Sequence, residues 1–557
     1  MVRLIPLGGL GEIGLNCMVL ETGEDMILID AGVLFPTSEQ PGVDVLVPDF
    51  DYVLKNADRL RGVLLTHGHE DHVGALPHLL RKLQVPVYGT PFTLSFLKNR
   101  LDEAGISADL RDLAGRDTVR FGTTLSAEAL RVTHSVPEAL GYAITTPEGR
   151  FLHTGDFKLD PSPIDGKTTD LARIEELGDD GVQCLLSDST NVEVHTETGS
   201  EQGVADTFAR ILPGRRGRIV VGLFASHQHR VQHLMELAEK LGRKVVPLGR
   251  SMIRNVETAR ELGVLKVPPG VLISPETAAG LPAHEVMILT TGSQAEPRAG
   301  LSQLAAGEGP LRLDPGDTVV LSSTPIPGNE RQVGALIDAL MWRGAEVVHH
   351  RTEPGVHCSG HASRPQQQRM IELVRPRHFL PVHGELRHLM LHRALAGSSG
   401  VSAQGLLLAR DGDTVSFRGG IGGVSGSVPA GRLMLERASG VAVPPEVLAE
   451  RMKLMDGGQV VAVLVLDRDT NQILSGPHLT PQGLPPAESS VIPAVAHEVR
   501  EGFEALSVAI RGDDAWVKEE LARSVRKALR QRTGRRPWVT PVVVRVSSAS
   551  ARAVVGS

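Results

Sequence analysis

Residues 66–72 read Thr-His-Gly-His-Glu-Asp-His, and no other stretch of the chain narrows its chemistry as far. His67, His69, Asp71 and His72 place three imidazoles and one carboxylate within six residues. On a helix, side chains two positions apart face different ways. In a loop leaving a strand they can converge, and Gly68 permits the tight path. The apolar run GVLLT (62–66) reads as that strand. Behind the loop, Ala75, Leu76, Leu79, Leu80 and Leu83 fall at helical spacing over 74–83. Imidazole and carboxylate donors suit Zn²⁺ or Mn²⁺. With a few more donors, such a cluster can hold two ions about 3.5–4 Å apart, the arrangement that serves in-line phosphoryl displacement.

Those further donors must come from elsewhere in the chain. His134 in VTHSVPE, Asp156 in HTGDFK and His383 in FLPVHGE each end an apolar run, where a loop can point into a shared crevice. His78, His153, His233, His284 and His392 read as packed or surface residues. The N-terminal GGLGEIG holds G-x-G-x-x-G at Gly9, Gly11 and Gly14, with Asp30 at a later strand end, which imitates a dinucleotide fingerprint. That fingerprint needs a helix after the glycines. Here CMVLE, a TGED turn and MILID follow, so a hairpin is expected and no nicotinamide or flavin cofactor.

At 557 residues the chain is too long for one ordinary core. No run approaches the roughly 18 apolar residues of a membrane span, and the first residues carry no export signal, so no membrane association and a cytoplasmic location are expected. Cys17, Cys184 and Cys358 are too few and too far apart for a disulfide framework and read as reduced, buried thiols. The net charge of −7 argues mildly against nucleic acid, but residues 517–536 hold eight Lys or Arg against two Glu, a local basic face. Aromatics at 3% leave little room for base stacking on many rings.

Hairpin texture runs through residues 1–199, helped by strands at 151–156 and 182–188. From 200 to 349, helix patterns alternate with apolar strands such as RIVVGLF (218–224), VMILTT and TVVLSS, which suggests an inserted parallel α/β unit. The hairpin pattern returns over 350–425. The Gly- and Pro-rich stretch 426–457 reads as a linker, and 458–557 as a small α+β tail with strands QVVAVLVLD and VTPVVVRV around two helices. In the second, about Asp514–Arg532, Val517, Leu521, Val525 and Leu529 form one stripe.

Taken together, THGHEDH, His134, Asp156 and His383 resemble the metallo-β-lactamase fold. The insertion, with SDSTN (187–191), SGHAS (359–363) and PVHGE (381–385), resembles its β-CASP nuclease branch. LGGLGEIGLN (7–16), FASHQHRVQ (224–232), TTGSQAEPRAGLS (290–302) and SSTPIPGNE (322–330) extend the likeness to the bacterial ribonuclease J family over residues 4–425. The resemblance implies an αββα sandwich with an inserted β-CASP α/β domain and a small C-terminal α+β domain that supports dimers or tetramers. It implies a metal-dependent ribonuclease, a 5′-to-3′ exonuclease with endonuclease activity, acting on single-stranded RNA in RNA maturation and mRNA decay, with partners in RNA-degradation complexes. It implies two divalent ions per subunit, one at His67, His69 and His134, the other at Asp71, His72 and His383, with Asp156 between them. Asp188 and His361 match acidic and histidine positions of the branch's signatures; with Asp71 they are the expected catalytic residues, His361 as proton donor. Histidine at position 383 points to RNA rather than DNA. His227 departs from the usual Asn. A DNA nuclease of the same branch, another hydrolase on the same fold and a non-catalytic RNA-binding scaffold are the competing readings; the filled ligand positions and the insertion weigh against them.

Two loops are expected to hold the RNA's 5′ phosphate: Phe224, Ala225 and Ser226 in one, and His357, Cys358, Ser359, Gly360, His361 and Ala362 in the other. Their small residues let backbone N–H groups approach phosphate oxygens, with serine hydroxyls as donors and histidine charge in support. With no Lys or Arg cluster in view, the pocket is expected to suit one phosphate and handle a triphosphate poorly.

Overall fold

The computed structural model describes residues 1–37, 39–326, 328–436 and 440–547. The chain forms two compact units, residues 1–34 with 46–433, and residues 35–45 with 434 onward.

The first unit is built on two sheets packed face to face. One has eight strands in the order Ile421–Ser427, Asp413–Arg418, Val2–Gly8, Cys17–Glu21, Met26–Ile29, Leu60–Leu64, Val87–Gly89, Leu110–Asp112. The other has six, in the order His378–Val382, Cys184–Asp188, Gly149–His153, Leu140–Thr146, Leu125–Arg131, Thr118–Phe121. Leu4, Leu20, Ile27 and Leu64 of the first share one core with Ala127, Tyr142, Phe151 and Leu186 of the second. The outer face of the six-stranded sheet is covered by helices Leu171–Asp180, Arg364–Val374 and Leu386–Ser398, through Leu177, Met370, Ile371 and Leu395. Helix Pro91–Ala104 lies against the far edge of the other sheet.

Strand direction matters more for function than layer count. Gly149–His153, Cys184–Asp188 and His378–Val382 are neighbours and run parallel, so their C-terminal ends share one rim. Met26–Ile29 and Leu60–Leu64 are likewise parallel. Crevices outside the carboxyl ends of parallel strands are where α/β folds place their chemistry. Cys17–Glu21 and Met26–Ile29 form the expected hairpin, and the N-terminal glycines lie ahead of it, in the connection from Val2–Gly8. Gly9, Gly11 and Gly14 adopt φ of +93°, +97° and +111°, and the strands either side of them pair antiparallel. No helix follows.

Residues 219–349 supply a separate five-stranded, wholly parallel sheet, ordered Lys244–Leu248, Val286–Thr290, Ile219–Gly222, Thr318–Leu321, Glu346–His349. Near-continuous burial along these strands is what a sheet covered on both faces requires. This is the inserted α/β unit, as expected from the alternation of patterns.

The second unit's sheet is ordered Ile473–Gln482, Gln459–Asp467, Trp538–Val546. Helices Ile492–Glu504 and Asp514–Thr533 cover one face. Val517, Leu521, Val525 and Leu529 pack on Val460, Ala462, Leu464 and Leu466, so the stripe is a core stripe. The longer helix starts where the Asp513 carboxylate accepts from the N–H groups of Ala515 and Trp516, and ends at Gly534 with φ +76°. Two readings need correction here. The stretch expected to be a linker contains the helix Pro445–Gly457, which its flanking Gly and Pro disguise. The tail also has a third strand, Ile473–Gln482, whose polar alternate residues and Pro477 weaken the strand pattern.

Candidate metal centre

The rim built by these strand ends gathers all seven residues expected as metal ligands. His67, His69, Asp71 and His72 leave the strand Leu60–Leu64 and lead into the short helix Glu70–Val73. His134 follows Leu125–Arg131, Asp156 follows Gly149–His153, Asp188 ends Cys184–Asp188, and His383 follows His378–Val382. Three overlapping donor groups result, each with its ligand atoms within 4.8 Å of one another: His67, His69, His134 and Asp156; Asp71, His72, Asp156 and His383; and Asp156, Asp188, His361 and His383. Asp156 belongs to all three.

The donor set fits divalent cations. In the first group His69 Nδ1 lies 3.0 Å from His67 Nε2 and 3.3 Å from His134 Nε2, three ring nitrogens crowded around one point. In the second, Asp156 Oδ2 is 3.2 Å from His72 Nε2, and Asp71 Oδ2 is 3.5 Å from His383 Nε2. His383 Nε2 is buried and makes no hydrogen bond among the described residues. Electrostatics agree. Asp30, Asp156 and Asp188 are buried within one small region. Burial disfavours a charged His383, yet Asp156, Asp71 and Asp188 outweigh it and push its pKa up to about 10. His72 is raised in the same way by Asp156, Asp71 and Asp30 against its own desolvation. The carboxylates thus demand positive charge where the ligands converge. His67 and His134, whose shifts are dominated by desolvation and then by neighbouring histidines, are held well below the ordinary value, as neutral metal ligands are.

Several outer contacts orient these rings, and sequence reasoning misses most of them. Asp30 Oδ2 is 2.8 Å from His72 Nδ1, while the Asp30 carboxylate also accepts from the N–H and hydroxyl of Thr66, both at 2.8 Å. The residue that completes the false dinucleotide signature therefore orients a candidate ligand. The signal for this role is its place at a strand end beside the histidine loop. His134 Nδ1 meets the Gly360 carbonyl at 2.8 Å, and a Cβ at Gly360 would stand 2.7 Å from that ring. Asp188 Oδ2 is 2.8 Å from His361 Nδ1, and Asp188 Oδ1 accepts from the N–H and hydroxyl of Thr190. Asp188 raises the His361 pKa against the effect of burial.

The two loops expected to bind phosphate adjoin this centre unevenly. Ser359 Oγ accepts from Asn191 Nδ2 at 2.8 Å and from the His361 N–H at 3.2 Å, which fills its lone pairs and leaves its proton to donate. Ser226 is half-buried. The Ala225 carbonyl accepts from Gln228 Nε2, and the Ala362 N–H is committed to the Phe157 carbonyl. Cys358 turns inward, its thiol 3.0 Å from Glu201 Oε1 and 3.5 Å from Lys158 Nζ. The expectation is of no Lys or Arg cluster in the pocket; two single basic residues do stand behind the loops. Arg230 and Lys158 are buried beside them, hidden from sequence reading because each is paired with acids inside the fold. Burial first, then Arg230, hold the His357 pKa well below the ordinary value. The departure at position 227 is a buried ring with its Nε2 3.3 Å from Glu201 Oε1. His153 and His392 are packed, as expected. The three cysteines are free and buried.

Comparison with known proteins gives the same division of the chain. Residues 10–186 match the metallo-beta-lactamase superfamily, 216–340 the ribonuclease J beta-CASP domain, 346–403 the Zn-dependent metallo-hydrolase RNA specificity domain, and 446–546 the ribonuclease J C-terminal domain. Ribonuclease J of Mycobacterium tuberculosis is 39% identical over 98% of this chain and 97% of its own. Ribonuclease J 1 of Streptococcus pyogenes is 36% identical over the same shares. Among solved structures, a protein of unknown function from Enterococcus faecalis superposes with a TM-score of 0.53 at 16% identity, covering 74% of this chain and 99% of that one, a likeness of fold alone. Nearly full-length identity at this level, on a centre whose donors suit divalent cations, places the chain in the ribonuclease J family of metal-dependent β-CASP ribonucleases.

Proposed function

We propose that this ribonuclease degrades single-stranded RNA from the 5′ end, prefers a 5′ monophosphate, and also cuts internally when a strand lies across the centre. It holds two divalent ions, Zn²⁺ or Mn²⁺, at His67, His69, His134 and Asp156 and at Asp71, His72, His383 and Asp156, works in RNA maturation and mRNA decay, and pairs through its C-terminal unit as a homodimer. One observation carries the end-directed reading. The loop that supplies Ser359 also supplies His361, whose ring is in the third donor group with Asp156 and Asp188. His357 and His361 are four residues apart, so their backbones are separated by at most about 14 Å. A phosphate held by this loop is therefore close to the metal donors, which suits release of very short products.

When bound, two such ions supply a nucleophilic water at neutral pH and neutralise the charge of in-line displacement. The chain does the rest. Asp30 and Gly360 hold His72 and His134 by the nitrogen that faces away from the centre, which fixes their tautomers. Asp188 binds His361 at Nδ1, which leaves Nε2 to give its proton to the departing 3′ oxygen. Ser359 donates its hydroxyl proton to the terminal phosphate.

The test uses one RNA with 5′-hydroxyl, monophosphate or triphosphate ends. Mononucleotide should leave the monophosphate end fastest. Equal rates from all three ends, or internal fragments alone, would sink the end-directed reading.

A further inference from the structure

Behind the two pocket loops lies a buried ion network drawn from separate stretches of chain. Lys158, Asp160, Glu201 and Arg230 are each no more than 3% exposed. Lys158 pairs with Asp160 at 3.2 Å. Arg230 grips Glu201 with two nitrogens, Nη2 at 2.8 Å and Nε at 3.2 Å. Its third nitrogen, Nη1, donates to the Ser322 carbonyl at 2.8 Å and hydroxyl at 3.0 Å, and reaches His357 Nδ1 at 3.2 Å. Glu201 begins one helix of the inserted unit and Arg230 lies in the first turn of the next, so the guanidinium is fixed from both sides.

A guanidinium has donors only and stays protonated. At its contact with His357, Nδ1 must accept, and a neutral ring that accepts at Nδ1 carries its proton on Nε2. Protonating Nδ1 would set two donors and two positive charges against each other. His357 is half-exposed, and its Nε2 meets no hydrogen-bond partner among the described residues. We propose that Arg230 is a positioning residue for the RNA end, locking His357 as its Nε2–H tautomer so that the end pocket offers an uncharged donor.

This rests on the end pocket proposed above. It replaces a cationic histidine with a neutral one whose direction is set from behind. The groups facing the ring are Arg230 and His227 from helix Gln228–Lys240 and its cap, Glu201 from helix Glu201–Ile211, and Lys158 from the loop after Gly149–His153. Glu201 alone among them favours a protonated ring, and Arg230 already occupies both of its oxygens. The end preference is therefore set by a donor that does not switch off as pH rises through neutrality.

The test uses the full-length enzyme with its metals, labelled with ¹⁵N-histidine, and the same RNA with monophosphate or hydroxyl 5′ ends. The resonances lost in His357→Gln identify the ring. They should show the neutral Nε2–H pattern, unchanged from about pH 6 to about pH 8.5, a range across which a free histidine titrates. Arg230→Lys keeps a cation beside Glu201 but cannot serve Glu201, Ser322 and His357 together. It should let the ring titrate or mix tautomers and lower the monophosphate-over-hydroxyl ratio roughly tenfold, the worth of one hydrogen bond to a charged group. His357→Gln keeps a neutral amide donor and should retain most of that ratio, with no further loss when Arg230→Lys is added. Bound metal per chain equal to the wild type's in each variant reports an intact metal centre. A wild-type ring that titrates in this range, one protonated at Nδ1, or an Arg230→Lys enzyme with the wild-type ratio overturns the proposal. If Arg230→Lys does not fold, the wild-type spectrum and the His357→Gln ratio decide. A wild-type enzyme indifferent to its 5′ end overturns the pocket itself, and with it this role for Arg230, whatever tautomer the ring adopts.

Discussion

At the scale of single residues, the centre is governed by what stands behind its ligands. His72 can offer Nε2 to a metal only while Nδ1 keeps its proton, and the Asp30 carboxylate 2.8 Å away secures that. Asp30→Asn must turn its NH2 group either toward the Thr66 N–H, itself a donor, or toward the Thr66 hydroxyl and His72 Nδ1, which share the other carboxylate oxygen. Metal affinity should fall by about 10–100-fold, the usual effect of losing such a partner, as read by competition with a chelator. An unchanged affinity would remove Asp30 from the centre's design. His361 calls for a different experiment, because loss of a phosphate contact and loss of a proton donor both slow cleavage. His361→Ala should cost about 10²–10⁴-fold on ordinary RNA, the range for general acid catalysis. A single 3′-phosphorothiolate linkage, whose leaving group needs no proton, should restore most of that loss; equal slowing on both substrates would make His361 a phosphate contact only. The candidate ligands are legible because His67, His69, Asp71 and His72 stand together in one short run and His134, Asp156 and His383 each end an apolar run. Asp30, Arg230, Glu201 and Lys158 are not. Their partners lie 42, 29, 29 and 2 residues away, and a paired buried charge looks in sequence like any exposed one.

Elements read well where their periodicity is clean. CMVLE is a strand to the residue, and the tail's QVVAVLVLD alternates buried and half-exposed positions along nearly all its length. The helix Pro445–Gly457 escapes a sequence reading because Gly457 is its only buried residue, so no apolar stripe announces it. Ile473–Gln482 escapes for a similar reason, with Leu474 exposed and polar residues alternating. The loop between the first two strands shows how an element end can be pH-sensitive. Glu12 is buried there, paired with Arg432, and the neighbouring Asp411 accepts from the Leu10 N–H at 3.1 Å. Burial, then the Glu12 charge, push the Asp411 pKa up to about 7. A carboxyl whose folded pKa lies above its unfolded value of about 3.9 binds its proton more tightly when folded. Its contribution is complete below about pH 4 and is lost as pH rises to about 7. Asp411→Asn keeps the acceptor for Leu10 and removes the charge, so the variant should gain on the wild type across that interval, by about 1.4 kcal/mol for each pH unit that separates the folded and unfolded pKa values. Urea midpoints at pH 5 and pH 8 test this. A gap between the two proteins that is the same at both would mean that Asp411 is not the titrating group.

At the scale of the whole molecule, every metal donor lies in the unit of residues 1–34 and 46–433, so the tail is not needed to build the centre. On the tail sheet's face away from helices Ile492–Glu504 and Asp514–Thr533, the helix Pro445–Gly457 reaches Trp538, where the Lys453 ammonium lies 5.5 Å from the ring centre. On this same face Val461, Val463 and Val465 are half-buried, and Val542 and Val544 are 36% and 40% exposed. Val463 stands opposite Val542 in the parallel pair, and Val465 opposite Val544, so these side chains form one apolar surface and not scattered residues. Contiguous exposed apolar surface is uncommon on a monomer and marks an association site. If the tail pairs two chains through this face, light scattering should give about twice the 59.6 kDa chain mass. Truncation after Gly457 should halve that mass, but truncation also removes the helices and cannot say which face pairs. Val463→Lys is the sharper variant. It sets a charge in the middle of the valine surface while Val460, Ala462, Leu464 and Leu466 keep their places under the helices. The tail should stay folded, by an unchanged thermal transition, while the assembly dissociates to single chains. A Val463→Lys protein of full-length assembled mass would rule this face out, and a truncated protein of undiminished assembly would rule out the tail altogether.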